Sequence, residues 1–299
     1  MRTIENFVSG VASTAERFGD VFDPNSGEVQ ARVRLSGATD LDAAVAAAQK
    51  AQPGWAATNP QRRARVMFEF KRLVEANMDE LARLLSSEHG KVIADSKGDI
   101  QRGLEVIEFC CGIPHILKGE YTQGAGPGID VYSMRQPLGI GAGITPFNFP
   151  AMIPLWMSGV AIATGNAFIL KPSERDPSVP VRLGELFVEA GLPEGIFQVV
   201  HGDKEMVDAI LDHPAISAVS LSARPISRIT CTAAASRRGS ASRRWAARRT
   251  TVSSCPTRTS TRSSPTCRAR RLARRASAAW RCPWWCRSAR RRRSRCARS

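Results

Sequence analysis

Gly139-Ile140-Gly141-Ala142-Gly143-Ile144-Thr145-Pro146-Phe147-Asn148-Phe149-Pro150 is the most informative stretch of the chain. Gly139 to Ile144 reads as a short apolar strand. Its three alternate glycines resemble part of a dinucleotide-binding fingerprint, a weak signal because glycine also relieves crowding in buried strands. Thr145 to Pro150 follows the strand and opens an apolar helix over Ala151 to Ala163. That junction is where open α/β sheets bind ligands. Ala167 to Leu170 is a second strand, with Lys171-Pro172-Ser173-Glu174 at its C-terminal end. Val179 to Ala190 reads as a helix closed by Gly191, Ile196 to Val200 as a strand, Lys204 to Leu211 as a helix and Ile216 to Leu221 as a strand. Short buried strands alternating with helices predict an α/β fold with a doubly wound parallel sheet. Regular texture stops at Leu221, so the sheet is expected to be incomplete, ending on that strand.

Upstream, Phe22 to Val33 reads as a β-hairpin around the turn Asp23-Pro24-Asn25-Ser26-Gly27. Thr39, with Asp42 three residues on, is placed as the cap of a helix running through Leu41, Val45, Ala46 and Ala48. Asn59-Pro60 starts the next helix, with Val66, Met67, Phe70 and Leu73 as its apolar stripe. A third helix spans Met78 to His89 and stops at Gly90, and a fourth is placed over Asp99 to Cys111, with Ile100, Leu104 and Ile107 on one face. Ile129 to Ile140 has extended character.

Composition divides the 299 residues near Leu221. Residues 1–221 hold all 27 acidic residues and 20 of the 43 Lys and Arg, a charge of about −7. Residues 222–299 hold 23 arginines, no Lys, Asp or Glu, and six of the eight cysteines, a charge of about +23. One functional reading of such a tail is an arginine-rich arm that grips nucleic acid non-specifically. The absence of lysine and the adjacent Trp285 and Cys286 argue instead for a sequence read out of frame and disordered. No leader pattern opens the chain and no apolar run reaches the ~18 residues of a membrane span, so a cytoplasmic location is expected. Cys110 and Cys111 sit in an apolar helix and read as core. His89, His115, His201 and His213 show no metal-ligand spacing, and no metal is expected.

The pair P-F-N-F-P (Pro146–Pro150) and K-P-S-E (Lys171–Glu174), at this spacing, resembles the aldehyde dehydrogenase superfamily. The extended stretches Pro150-Ala151-Met152-Ile153-Pro154-Leu155-Trp156 and Lys171-Pro172-Ser173-Glu174-Arg175 resemble its CoA-acylating, methylmalonate-semialdehyde branch. The resemblance covers residues 1–221 and implies an NAD-binding domain there, with an oligomerisation-type β segment near 129–140. It implies that Asn148 donates its side-chain amide to the oxyanion formed when a cysteine thiolate attacks an aldehyde. Thr145 and Phe147 are implied to line the nicotinamide side, Lys171 and Glu174 to hold the adenosine ribose, and Arg175 to lie against the cofactor. A carboxylate at the ribose favours NAD over NADP. Arg102 matches the position that holds the substrate carboxylate, a task suited to an arginine fork. The implied reaction is NAD-dependent oxidation of methylmalonate or malonate semialdehyde, with coenzyme A as acyl acceptor, in a homo-oligomer.

The genetic code carries the frame argument. Leu221-Ser222-Ala223-Arg224 can be written TTG-TCG-GCT-CGT, and one C restored after the first TT gives F-V-G-S, the family's continuation. The same frame admits S-S-D-I-A-H-Y-V-Y over Arg224–Thr232, A-L-G-G-A-K-N-H over Arg244–Thr251 and G-E-R-C-M-A-L-P over Ala276–Pro283. A-L-G-G in place of the E-L-G-G of hydrolytic relatives would remove the glutamate that activates water, which fits CoA as acceptor, although the Arg244 codon also admits glutamate. The nucleophile's codon would then straddle Ala278 and Ala279. No catalytic cysteine is encoded in the given frame, Arg224 stands where a pyrophosphate-binding serine is implied, and Cys282 and Cys286 are by-products. Residues 222–299 are therefore expected to form an out-of-frame, disordered basic tail, and the product is expected to be inactive.

Overall fold

A computed structural model describes residues 1–9 and 15–222, and the backbone of 241–244. All of these fall in one unit, Met1–Ser253; a second unit, Ser254–Ser299, lies outside the described residues. In chain order the elements are β1 (Arg2–Ile4), β2 (Phe18–Phe22), β3 (Val29–Arg34), α1 (Ala38–Ala57), α2 (Pro60–Ala76), α3 (Met78–His89), α4 (Ile93–Cys111), α5 (Ile113–Ile116), β4 (Tyr121–Gly126), β5 (Ile129–Tyr132), β6 (Ile140–Ile144), α6 (Met152–Ala163), β7 (Ala167–Lys171), α7 (Ser178–Glu189), β8 (Phe197–Val199), α8 (Lys204–Asp212), β9 (Ile216–Leu221) and β10 (Ala241–Arg244).

The central sheet is parallel throughout, in the order β10-β9-β6-β7-β8. From β6 the chain winds outward to β7 and β8, then returns to β6's other side as β9. This is the expected doubly wound arrangement. Every residue of β7 and β8 is buried, which requires cover on both faces of the sheet. One large apolar cluster joins α1–α4, α6 and α7 to the sheet, with Phe70 and Phe187 stacked at 3.5 Å between ring centroids. A smaller core of Ile4, Val21, Ala31 and Val33 belongs to the three-stranded sheet β1-β3-β2.

Two buried donors tie helix ends together. Trp55 Nε1 donates to the Ile162 carbonyl at 2.8 Å, and Arg63 donates to the carbonyls of Ala163, Ala56 and Thr58 at 2.8–3.1 Å. These are the C-terminal ends of α1 and α6, where carbonyls lack partners within the helix.

Several boundaries differ from the sequence reading. The sheet does not end at Leu221: β10 extends it, Ala241–Arg244 pairing with Ala218–Leu221, so these four residues depart from a structureless tail. The rest of 223–299, including Arg224, Ala278, Ala279, Cys282, Trp285 and Cys286, lies outside the described residues. Thr39 does not cap α1; the cap is Gly37, where an added Cβ would lie 2.8 Å from Glu205 Oε1. α4 begins at Ile93, not Asp99, because its first turn is largely exposed and carries no apolar period. Extended structure within 129–140 is confined to β5, which pairs with β4, and to the first residue of β6.

Candidate functional site

The order of the sheet sets the site. β6 lies between β7 and β9, so the chain leaving β6 turns to β7 on one side while β9 pairs on the other. Such switch points are where open α/β sheets bind ligands. Ser222 N–H bonds the Ile144 carbonyl at 3.1 Å, and Thr145 N–H bonds the Lys171 carbonyl at 3.1 Å. The ends of β6, β7 and β9 are thereby held side by side, and the loops after β6 and β7 become adjacent.

Thr145 is buried, and its hydroxyl has no hydrogen-bond partner among the described residues. Phe147 and Asn148 are exposed at the loop crest. The Asn148 carbonyl accepts from Lys91 Nζ at 2.8 Å, whereas its side-chain amide makes no hydrogen bond among the described residues. After β7, Lys171 is buried and pairs with the half-exposed Glu174 at 3.0 Å. Burial alone would raise the Glu174 carboxyl, but the Lys171 charge, the hydrogen bonds it accepts and the Arg175 charge together hold it below its ordinary value. The Arg175 guanidinium lies 5.1 Å from the Phe147 ring centroid, so Arg175 joins the two loops by stacking.

Arg102 stands on α4 with its side chain exposed, and its carbonyl accepts from Trp156 Nε1 at 2.9 Å. The structure thus brings Thr145, Phe147, Asn148, Lys171, Glu174 and Arg175 to one edge of the sheet. It places Arg102 on the helix packed against α6, without a side-chain contact to that group.

Sequence reasoning missed three features beside the site. Lys91 and Asp99 form an ion pair at 2.8 Å under the β6–α6 loop, with Asp99 almost fully buried. Asp176 is 2% exposed, with both oxygens unpartnered among the described residues; burial foremost, and the nearby Glu88 charge, push its carboxyl up to about 8. His201, after β8, is buried, and its ring is pushed down to about 3 by burial and then by the Lys171 charge. Charged residues at helix ends give no local sign of contacts to positions more than 50 residues away. Cys110 and Cys111 are buried and free, with Cys110 pushed up to about 12 by burial, so neither serves as a thiolate. Among the described residues no three His, Cys, Asp or Glu converge as metal ligands, and no helix is long and apolar enough to cross a membrane.

The loops after β6 and β7, with the Lys171–Glu174 pair, form the candidate site of a doubly wound parallel sheet. The profile of the Aldehyde dehydrogenase family matches residues 11–238, and the chain belongs to that family. It is similar to the malonate-semialdehyde dehydrogenase of Pseudomonas aeruginosa, 50% identical over 221 residues, which are 74% of this chain and 44% of that protein. It is also similar to the mitochondrial acylating methylmalonate-semialdehyde dehydrogenase of Arabidopsis thaliana, 49% identical over 73% of this chain and 36% of that one. A solved structure from Sinorhizobium meliloti 1021, described as a methylmalonate-semialdehyde dehydrogenase complexed with NAD, matches with a TM-score of 0.80 and 60% identity, covering 82% of this chain and 50% of that chain. The chain spans about half the length of the relatives it matches.

Proposed function

We propose that this chain is the front half of an NAD-dependent, CoA-acylating dehydrogenase for methylmalonate or malonate semialdehyde, interrupted by a frame change near codon 221. The observation that carries the reading is the meeting of Asn148, Thr145 and the Lys171–Glu174 pair at the sheet's switch point.

The residues present fit NAD. The Thr145 hydroxyl is buried without a partner among the described residues, and Lys171 and Glu174 offer a donor and an acceptor for vicinal hydroxyls. When bound, NAD supplies the hydride acceptor. Lys171 and Glu174 hold the ribose, and Thr145 and Phe147 line the nicotinamide side. Arg175, stacked on Phe147, closes the gap between the two loops. Asn148 presents an unengaged amide to the substrate oxyanion, a donor typically worth about 3 kcal/mol of barrier. Arg102 holds the substrate carboxylate, coenzyme A takes the acyl group, and that carboxylate is lost as carbon dioxide, giving propionyl-CoA from methylmalonate semialdehyde or acetyl-CoA from malonate semialdehyde. The protein is cytoplasmic and assembles as a homo-oligomer through the β4–β5 hairpin, whose Tyr121, Ile129, Val131 and Tyr132 are exposed.

In the given frame the attacking thiolate is not encoded, so the 299-residue product is inactive. The composition break at Leu221, with acid residues only before it and arginine as the only charged type after it, supports this. The test is to sequence the DNA at codon 221 and to express the gene with one base restored. We expect the restored enzyme to reduce NAD with methylmalonate semialdehyde and CoA, and the 299-residue chain to show no turnover. Turnover by the unaltered chain would refute the frame reading, and a restored enzyme inert toward both semialdehydes would refute the substrate.

A further inference from the structure

Lys91 follows Gly90, whose left-handed backbone, φ 80°, ends α3 and delivers Lys91 to the β6–α6 loop. Its ammonium makes three contacts there. It pairs with Asp99 Oδ2 at 2.8 Å, donates to the Asn148 carbonyl at 2.8 Å, and lies 4.4 Å from the Phe149 ring centroid. Asp99 uses its other oxygen to accept the Met152 N–H at 2.8 Å, fixing the first residue of α6. One buried ion pair therefore grips the segment Asn148–Met152 at both ends. Arg175, stacked on Phe147, sits against the other flank, so each phenylalanine beside Asn148 faces a cation.

We propose that Lys91, held by Asp99, is a positioning residue for Asn148: by fixing that residue's carbonyl it sets where the side-chain amide points. The inference rests on the reading of Asn148 as the oxyanion donor. A donor aids a reaction in proportion to how well its direction is fixed beforehand. The Asn148 amide has no hydrogen bond of its own among the described residues, so only the backbone aims it. A charge-assisted bond from a largely buried ammonium holds a carbonyl more firmly than a neutral donor does. Lysine suits the position because three N–H groups on one compact head can reach two oxygens while the head rests on a ring.

The test uses the full 299-residue chain labelled with 15N at asparagine, the Asn148 side-chain signal being identified by its loss in Asn148→Ser. Lys91→Met removes the charge and keeps the stem; Lys91→Arg keeps the charge. We expect Lys91→Met to shift and broaden the Asn148 signal and to speed hydrogen exchange of the 147–153 amides about tenfold, while β7 and β8 keep their protection. Lys91→Arg should recover part of both effects. Should Lys91→Met not fold, Lys91→Gln carries the same comparison. In the enzyme with one base restored, the same substitution should lower kcat about tenfold and leave KM for NAD within about twofold. An unmoved Asn148 signal, or exchange quickened uniformly across the sheet, would overturn the proposal. A restored parent without activity would refute the functional reading instead, and the Asn148 signal alone would then decide the role of Lys91.

Discussion

Asp176 shows how one carboxyl can act against the fold that contains it. Its ordinary value is near 4 when unfolded, and burial pushes it up to about 8 in the native state. Between these values the native protein keeps a proton that the unfolded chain gives up, so stability falls as pH rises through that window. His201 has the opposite sign: depressed to about 3, it withdraws stability as pH falls below about 6.5. Above pH 6.5 the histidine is increasingly neutral in both states, and Glu88, raised in the same sense as Asp176, is common to both proteins compared. We therefore predict that the parent loses up to about 1 kcal/mol per pH unit between pH 6.5 and 8 relative to Asp176→Asn, in urea denaturation. Parallel slopes for the two proteins would show that Asp176 is already ionised. Burial raises the Glu88 carboxyl as well, outweighing the Ser178 N–H at 3.0 Å and Arg2 Nη2 at 3.0 Å, which both favour its charged form.

At the level of elements, α4 and α6 meet so closely that glycine is required at one contact. An added Cβ at Gly103 would lie 2.4 Å from Leu155 Cδ1 and 3.1 Å from Leu155 Cβ, whereas one at Gly98, in the same helix, would meet nothing within 4 Å. Both exchanges to alanine gain about 1 kcal/mol of helix propensity, but overpacking at Gly103 costs about 1–3 kcal/mol. We expect Gly98→Ala to raise the thermal midpoint and Gly103→Ala to lower it. A rise in both would mean that α6 yields. Most elements were legible because their signals are local. Asn59 accepts from Gln61 N–H ahead of Pro60, Gly90 and Gly191 adopt positive φ after their helices, and β9 spans the predicted residues. What was missed depends on distant partners. Gly37 lies against the Glu205 side chain, and Lys91 donates to the Asn148 carbonyl, 57 residues away. In the site, the motif residues were legible through a family likeness; the ion pair beneath them carries no motif. β10 was missed because Ala241–Arg244, an alanine, a serine and two arginines, has no apolar alternation to mark a strand.

For the molecule as a whole, the sequence places opposite charge on its two parts, about −7 before Leu221 and +23 after it. The Lys171–Glu174 pair, proposed for the ribose, is complete in the given frame, but Arg224 stands where the resemblance implies a pyrophosphate-binding serine. We therefore predict weak NAD binding by the 299-residue chain, roughly millimolar or about 4 kcal/mol. Calorimetric titration should show it, and Glu174→Ala should remove it; micromolar affinity would show that the pyrophosphate contact is dispensable. The bonds of Arg2 to Glu88 and to Ser178 have a further meaning in time. Arg2 leaves the ribosome 176 residues before Ser178. At ~5–20 residues per second that is a wait of roughly 9–35 seconds, during which β1 has no finished berth. Phe7 must wait longer, until Val199 emerges to bridge it. Both appointments fall before codon 221. The partners of Arg2 and Phe7 are thus all encoded ahead of the frame change, so the altered tail removes none of the contacts that seat the N-terminus.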